Sequence, residues 1–290
     1  MILVTGATGN AGSAVVRALV NSGERVRALV RDPRAQLPAG VEAAVGDLNE
    51  PETLTPHLER VTAVFLLSGY KGLEDTLATM RRTEVERVVL LSSSAAPTGD
   101  LSNAVARYHI LSERAVRQSG LGWTFLQPNT FMTNTFQWTV QLRHGDVIRA
   151  PFPDVRVATI DPDDIGAVAA VALTSDDSGG RAYRLSGPES LSPGDRVAIL
   201  AAVLGRELRF EGQTSEEARA EMSAAMPAEY VEAFFRFFVN GDLDESEVLS
   251  TVQEVTGRAP RSFEAWARAH ATGFRWPELG LRPPRRRGHV

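Results

Sequence analysis

The sequence contains no cysteine among its 290 residues, which removes disulfide staples, zinc–thiolate sites, iron–sulfur clusters and thiol nucleophiles together. Lysine is nearly as scarce. Of 31 basic residues only Lys71 is lysine, so any chemistry that needs an amine side chain rests on that position. No apolar run approaches the roughly 20 residues needed to span a bilayer. The opening stretch, Met1 to Gly6, has no basic flank and no small-residue cleavage site, so a cytoplasmic location is expected. A net charge of −5 supplies no field for nucleic acid or anionic membrane, and neither is expected as a partner. What is present is a globular composition, 43% hydrophobic and 23% charged. Its length suits one α/β unit with a substrate-binding appendage.

Strand-like and helix-like segments alternate through the first half. The pattern predicts strands at Met1–Thr5, Val26–Val30, Val41–Val45, Thr62–Leu67, Arg87–Leu91 and Trp123–Leu126. Helices are predicted after the first strand, over Leu73–Arg82 and over Leu101–Gln118. Near-continuous apolar strands in such alternation mean a parallel sheet covered on both faces. After Pro128 the pattern predicts a helix at Asn134–Arg143, a strand at Val155–Ile160 and a helix at Asp161–Leu173. A strand at Ala182–Leu185, a helix at Ser192–Leu204, a mostly helical Thr214–Gly257 and a last helix at Arg261–Ala271 follow. The end, 280–290, reads as a flexible tail rich in Arg and Pro.

The glycine cluster Thr5-Gly6-Ala7-Thr8-Gly9-Asn10-Ala11-Gly12 lies between the first strand and the first helix. Gly6 permits a tight turn, Gly9 lets backbone N–H groups approach a pyrophosphate, and Gly12 brings the helix close to the strand. Gly6, Thr8, Gly9, Asn10, Ala11 and Gly12 are therefore assigned to a dinucleotide. The second strand ends Leu29-Val30-Arg31-Asp32-Pro33. Arginine at this place accommodates a 2′-phosphate, whereas an acid holds a ribose hydroxyl, so NADP is expected and NAD is the alternative. Asp47, ending the third strand, is placed to accept from an adenine amino group, or it opens a helix-entry turn before Pro51.

These stretches resemble the NmrA-like branch of the atypical short-chain dehydrogenases/reductases. Gly46-Asp47-Leu48, Leu91-Ser92-Ser93-Ser94, Pro128-Asn129-Thr130-Phe131-Met132-Thr133-Asn134 and Ile160-Asp161-Pro162-Asp163-Asp164-Ile165 carry the likeness further. The resemblance covers about residues 1–275. It implies a Rossmann-type doubly wound parallel sheet with a smaller, mostly helical C-terminal substrate domain. The expected division is 1–134 for the NAD(P)-binding domain, whose core also takes in about 155–173, and 135–279 for substrate. It also implies that Leu48, Ser68, Ser92 and Pro128 lie along the cofactor, and that Tyr70, Phe131 and Met132 line the substrate pocket.

Typical members of the wider superfamily reduce carbonyls with serine, tyrosine and lysine. Ser94 matches the serine, with an ordinary loop serine as the plain reading. The tyrosine–lysine pair is missing. Aligning on Glu113 puts Val105 at the tyrosine position and His109 at the lysine position. Aligning on Tyr108 puts Ser112 at the lysine position. His109 and Asn129 then join Ser94 as candidate catalytic residues, and no metal is expected. Tyr108, about 100° round the helix from His109, is expected to face away. The implied function is NADPH-dependent reduction of a carbonyl or quinone of a small aromatic substrate, a class that takes in polyketide-type ketones. The alternative is an NADP-binding redox sensor that acts through a protein partner. Phe131, Met132, Phe136, Trp138, Phe152, Phe234, Phe235 and Phe238 are the candidate pocket aromatics and apolars. A monomer or homodimer is expected.

Overall fold

A computed structural model describes residues 1–175 and 179–274. Its strands are β1 (Ile2–Val4), β2 (Val26–Val30), β3 (Glu42–Val45), β4 (Ala63–Leu67), β5 (Arg87–Leu91), β6 (Gly122–Pro128), β7 (Val147–Ala150), β8 (Arg181–Leu185) and β9 (Arg209–Gly212). Seven form one sheet in the order β3-β2-β1-β4-β5-β6-β8, with every neighbouring pair parallel. Parallel neighbours require crossovers, and helices supply most of them. These are α1 (Asn10–Asn21), α2 (Leu73–Arg82), α3 (Ala104–Gln118) and, after the short α4 (Thr139–Leu142), α5 (Pro162–Thr174).

Alternation along the strands divides the core between the two faces. Val4, Phe65 and Leu126 pack with Val15 and Leu19 of α1 and with Ile165 and Val168 of α5. Leu3, Leu66, Leu90 and Phe125 point the other way, onto Leu77 and Met80 of α2 and Val116 of α3. The chain runs outward through β2 and β3, then returns to place β4 on the far side of β1. This reversal opens a crevice at the C-terminal ends of β1 and β4, where open α/β sheets bind ligands.

The rest of the chain builds α6 (Pro193–Leu204), α7 (Ser215–Ala225), α8 (Ala228–Phe238), α9 (Thr251–Thr256), α10 (Phe263–Ala269) and α11 (Ala271–Phe274). A separate core of Trp138, Leu142, Ile148, Leu200, Phe263 and Trp266 holds this region together. The two-stranded β7–β9 sheet packs beside it, an element the sequence pattern did not signal. No helix among the described residues is long and apolar enough to cross a membrane.

One expectation is corrected. Val155–Ile160 forms no strand, only isolated bridges from Val157 to Leu191 and from Ile160 to Phe131. Its backbone is shared among three partners, since Val157, Ala158 and Ile160 donate to the carbonyls of Leu191, Glu245 and Thr130. No single neighbour can form a ladder with it. The stretch expected to be mostly helical, Thr214–Gly257, is so, as three helices interrupted at Met226–Pro227 and from Val239 to Ser250. The tail expected at 280–290 lies outside the described residues.

Candidate active site

Gly6 takes a left-handed φ of +59°, and its carbonyl accepts from Gly9 N–H at 2.9 Å. A Cβ at Gly12 would stand 2.1 Å from that carbonyl oxygen, so only glycine fits. A Cβ on Gly6 would meet Leu67 Cδ1 at 2.4 Å, which fixes the turn against the end of β4. Helix α1 has no side-chain cap, a lack it shares with α2, α4, α8 and α9. Its first-turn N–H groups are thus left to bind an anion, with the helix dipole adding positive charge. Thr8, Gly9 and Asn10 are exposed at this end, and Ala11 is buried beneath them.

Arg31 is exposed and pairs with none of the described residues. The neighbouring Asp32 is occupied by Arg34, at 2.9 Å, and hydrogen bonds from Arg34 hold its carboxyl below the usual range. Asp47 Oδ1 accepts from Asn49 N–H at 2.8 Å, an Asx-type turn. Leu48 is buried in the sheet core.

A cavity of about 400 Å³ opens at the C-terminal ends of β4, β5 and β6. Ser68, Ser92, Tyr108, His109, Pro128, Asn129, Thr130 and Phe131 line it, with Glu245 behind. Ser68 Oγ donates to Leu91 O at 2.6 Å. Ser92 Oγ donates to buried Glu113 at 2.6 Å, which also accepts from Gln127 at 2.8 Å and Arg117 at 3.2 Å. Asn129 spends its amide on the carbonyls of Glu245 at 3.0 Å and Ala158 at 3.3 Å. Its Oδ1 is buried without a partner, as is His109 Nδ1. Burial pulls the His109 pKa down to about 4, so the imidazole is neutral at neutral pH.

Tyr108 is the first correction here, because it shares the cavity wall with His109 instead of facing away. The two rings tilt toward each other with centroids 4.1 Å apart, and the long side chains converge despite their angular separation on α3. Burial pushes the Tyr108 phenol pKa up. Val105, at the tyrosine position of the Glu113 alignment, packs among Ala95, Ala106 and Phe237. Ser112 accepts from Gly69 N–H at 3.1 Å and donates to Tyr108 O at 2.7 Å, pinning the loop after β4 to α3.

Ser94 is buried behind this wall, with Oγ donating to Glu245 at 2.6 Å. Glu245 also accepts from Thr130 N–H at 3.1 Å and Thr130 Oγ1 at 2.6 Å. Burial raises the pKa of this carboxyl, against the three donated hydrogen bonds and the charge of Arg196. Sequence reasoning missed Glu245, which lies in the irregular stretch between α8 and α9 and belongs to no motif. Tyr70 and Met132 are also reassigned. Tyr70 packs partly buried against the sheet core, and Met132, 1% exposed, belongs to the C-terminal core.

Thr130 and Asn134 lead from this cavity into a second, of about 470 Å³. Trp138, Phe152, Phe234 and Phe238 line it with Val155, Val157, Met222 and Met226. Of the other aromatics expected in the pocket, Phe131 lines the first cavity, while Phe136 and Phe235 pack into cores. Arg196 enters from α6 and rests over the Trp138 ring at 5.4 Å. Burial pushes its pKa down to about 10.

The uncapped α1 turn and the unpartnered His109 Nδ1 and Asn129 Oδ1 fit a dinucleotide stretched from the glycine turn to the ends of β5 and β6. Comparisons with known proteins agree. The chain matches the NAD(P)H-binding family over residues 6–176. It is 39% identical over 280 residues to a (4-alkanoyl-5-oxo-2,5-dihydrofuran-3-yl)methyl phosphate reductase of Streptomyces griseus, covering 94% of this chain and 99% of the relative. It is 35% identical over 283 residues to an NAD(P)H azoreductase of Xenophilus azovorans, covering 94% and 99%. Among solved structures, the NADPH complex of the Escherichia coli quinone oxidoreductase QOR2 superposes with a TM-score of 0.77 at 20% identity, covering 94% of this chain and 100% of that one. The negative transcriptional regulator NmrA gives 0.71 at 18%, covering 92% and 94%. The chain belongs to the NAD(P)H-binding family and is an oxidoreductase.

Proposed function

We propose that the protein is an NADPH-dependent reductase of a small conjugated acceptor, a quinone or an aromatic ketone, working without a tyrosine–lysine relay. The observation that carries this reading is the cavity at the ends of β4 to β6. Tyr108 and His109 stand on its wall, while Lys71, the sole lysine, sits exposed in the loop before α2. An azo group, a quinone and an acylated oxo-dihydrofuran, the groups for which similar proteins are named, are all conjugated acceptors. Charge arriving on such a group spreads to a heteroatom, which lowers the demand on a protein acid.

In this reading the first-turn N–H groups of α1 and the Gly6–Gly12 turn hold the pyrophosphate, and Arg31 takes the 2′-phosphate. Asn129 Oδ1, Ser92 and Pro128 border the nicotinamide, which when bound supplies the hydride. Neutral His109 accepts from a ribose hydroxyl at Nδ1. Tyr108, kept protonated by burial, donates a hydrogen bond to the acceptor heteroatom. Ser94 acts as a positioning residue that holds Glu245, and through it Thr130, at the joint between the cavities. Residues 1–134, with 155–173, carry the cofactor, and the region from 135 onward closes the pocket over the substrate.

The test pairs an NADPH titration with NADPH oxidation on a panel of quinones, aromatic ketones and azo compounds. Binding with turnover on at least one conjugated acceptor is expected. Tight NADPH binding with no turnover on any of them would replace this reading with a dinucleotide sensor.

A further inference from the structure

The second cavity carries one charged residue in its wall, Arg196. Among the described residues the Arg196 side chain makes no hydrogen bond and no ion pair, and its Nε is buried without a partner. The carboxylates around it are already engaged. Asp195 accepts from Ser192 N–H and Arg156, both at 3.0 Å, within the cap of α6. Glu245 takes its donors from Ser94 and Thr130 and reaches Arg196 only through space. On the same wall, Thr133 Oγ1 is a second buried polar atom without a partner. A guanidinium enclosed without a hydrogen-bonded countercharge is costly, and a ligand that brings an anion onto it lowers that cost.

We propose that this cavity holds an acidic group of the substrate, a carboxylate or a phosphate monoester, on Arg196 and Thr133. This deepens the reductase reading and rests on it for the position of the reacting group. An apolar segment then runs along Trp138, Phe152, Phe234 and Phe238, and the conjugated acceptor reaches past Thr130 toward His109. The guanidinium fork lies against the Trp138 face, which limits its rotation and leaves its N–H edge for a planar or tetrahedral oxyanion. The substrate class is therefore an amphiphilic acid with a conjugated acceptor at the opposite end.

The experiment measures binding, so it does not depend on turnover. Octanoate, octyl phosphate and octanol are titrated into the NADP⁺-loaded wild type, Arg196→Gln, Arg196→Lys and Thr133→Val, followed by tryptophan fluorescence. At least one acid is expected to bind about 10-fold more tightly than octanol, the scale of a charge-assisted hydrogen bond. Arg196→Gln should erase that preference with NADPH affinity unchanged, and Arg196→Lys should keep part of it. The better-bound acid identifies the anion as carboxylate or phosphate. If Arg196→Gln fails to fold, a weaker acid preference in Thr133→Val serves in its place, and an unchanged one overturns the proposal. Equal binding of octanol and both acids by the wild type, or a preference that survives in folded Arg196→Gln, overturns it as well. Absence of NADPH oxidation across the acceptor panel would remove the reductase reading and leave these binding constants standing.

Discussion

Tyr108 and His109 stand side by side on α3 with ring centroids 4.1 Å apart, on the wall of one cavity. One is a half-buried phenol with a raised pKa and the other an imidazole held neutral by desolvation. Neither has a lysine beside it. With a quinone as acceptor, Tyr108→Phe and His109→Phe are each expected to lower kcat by less than about 10²-fold, at the bottom of the range for general acid catalysis. Steady-state kinetics on the folded variants checks this. A loss of about 10³-fold or more confined to Tyr108→Phe would make that phenol the proton donor.

The neutral imidazole also sets a pH dependence of stability. His109 titrates near pH 4 in the fold, against an ordinary value of 6.5. Between these values the unfolded chain binds the proton that the folded chain refuses, so this contribution falls as pH drops through that window. Its size is up to about 3 kcal/mol. Glu245, with its raised pKa, slopes the opposite way. The difference between wild type and His109→Phe in urea unfolding, followed from pH 7 to pH 4, isolates the histidine. A difference that does not change with pH would mean that the imidazole is not protected in the native state.

Ser94→Ala withdraws one of three hydrogen bonds from the buried Glu245 carboxyl. The expected cost is about 1–3 kcal/mol of stability, with a rise in KM as Thr130 loosens at the joint between the cavities. Ser94→Thr, which keeps the hydroxyl, should restore part of both. Unfolding midpoints and kinetics on the same preparations check the pair.

Arg31→Ala should reduce a wild-type preference for NADPH over NADH of about 10-fold to near parity, chiefly by weakening NADPH. Asp32 is already held by Arg34 and offers little compensation. Fluorescence titration with both cofactors measures it, and equal affinities in the wild type would sink the assignment.

The second and third glycines of the turn, Gly9 and Gly12, should differ. Gly12→Val places a side chain 2.1 Å from the Gly6 carbonyl and should abolish dinucleotide binding together with much of the local fold. Gly9→Val meets the same carbonyl at 3.3 Å, so the chain should fold while NADPH affinity collapses. Circular dichroism beside the titration separates the two outcomes.

The sheet and the glycine turn were readable in the sequence because their signals are local. Val88, Val89 and Leu90 are buried on a strand covered from both sides, and unbroken apolar runs record that. The turn is read from its spacing and its place after β1. Glu245 and Arg196 gave no such signal. Their importance comes from burial imposed by distant segments, and in one dimension they are an acidic residue in a loop and an arginine on a helix. Val155–Ile160 shows the reverse case. It has the composition of a strand, but its backbone partners are three separate segments, and a one-dimensional pattern does not record how many neighbours a segment serves.

Glu245 gives the molecule an order of assembly. On a nascent chain Ser94 and Thr130 emerge 151 and 115 residues ahead of their acceptor. The strand pairings through β6 join residues 15 to 61 apart in sequence, so they can form before that acceptor is made. The cavity end of the sheet cannot be completed then, since those hydroxyls and the Asn129 amide wait for a residue made after α8. Until then this edge lacks the acceptor that ties its hydroxyls together, and the joint between the two cavities is completed only when that stretch arrives.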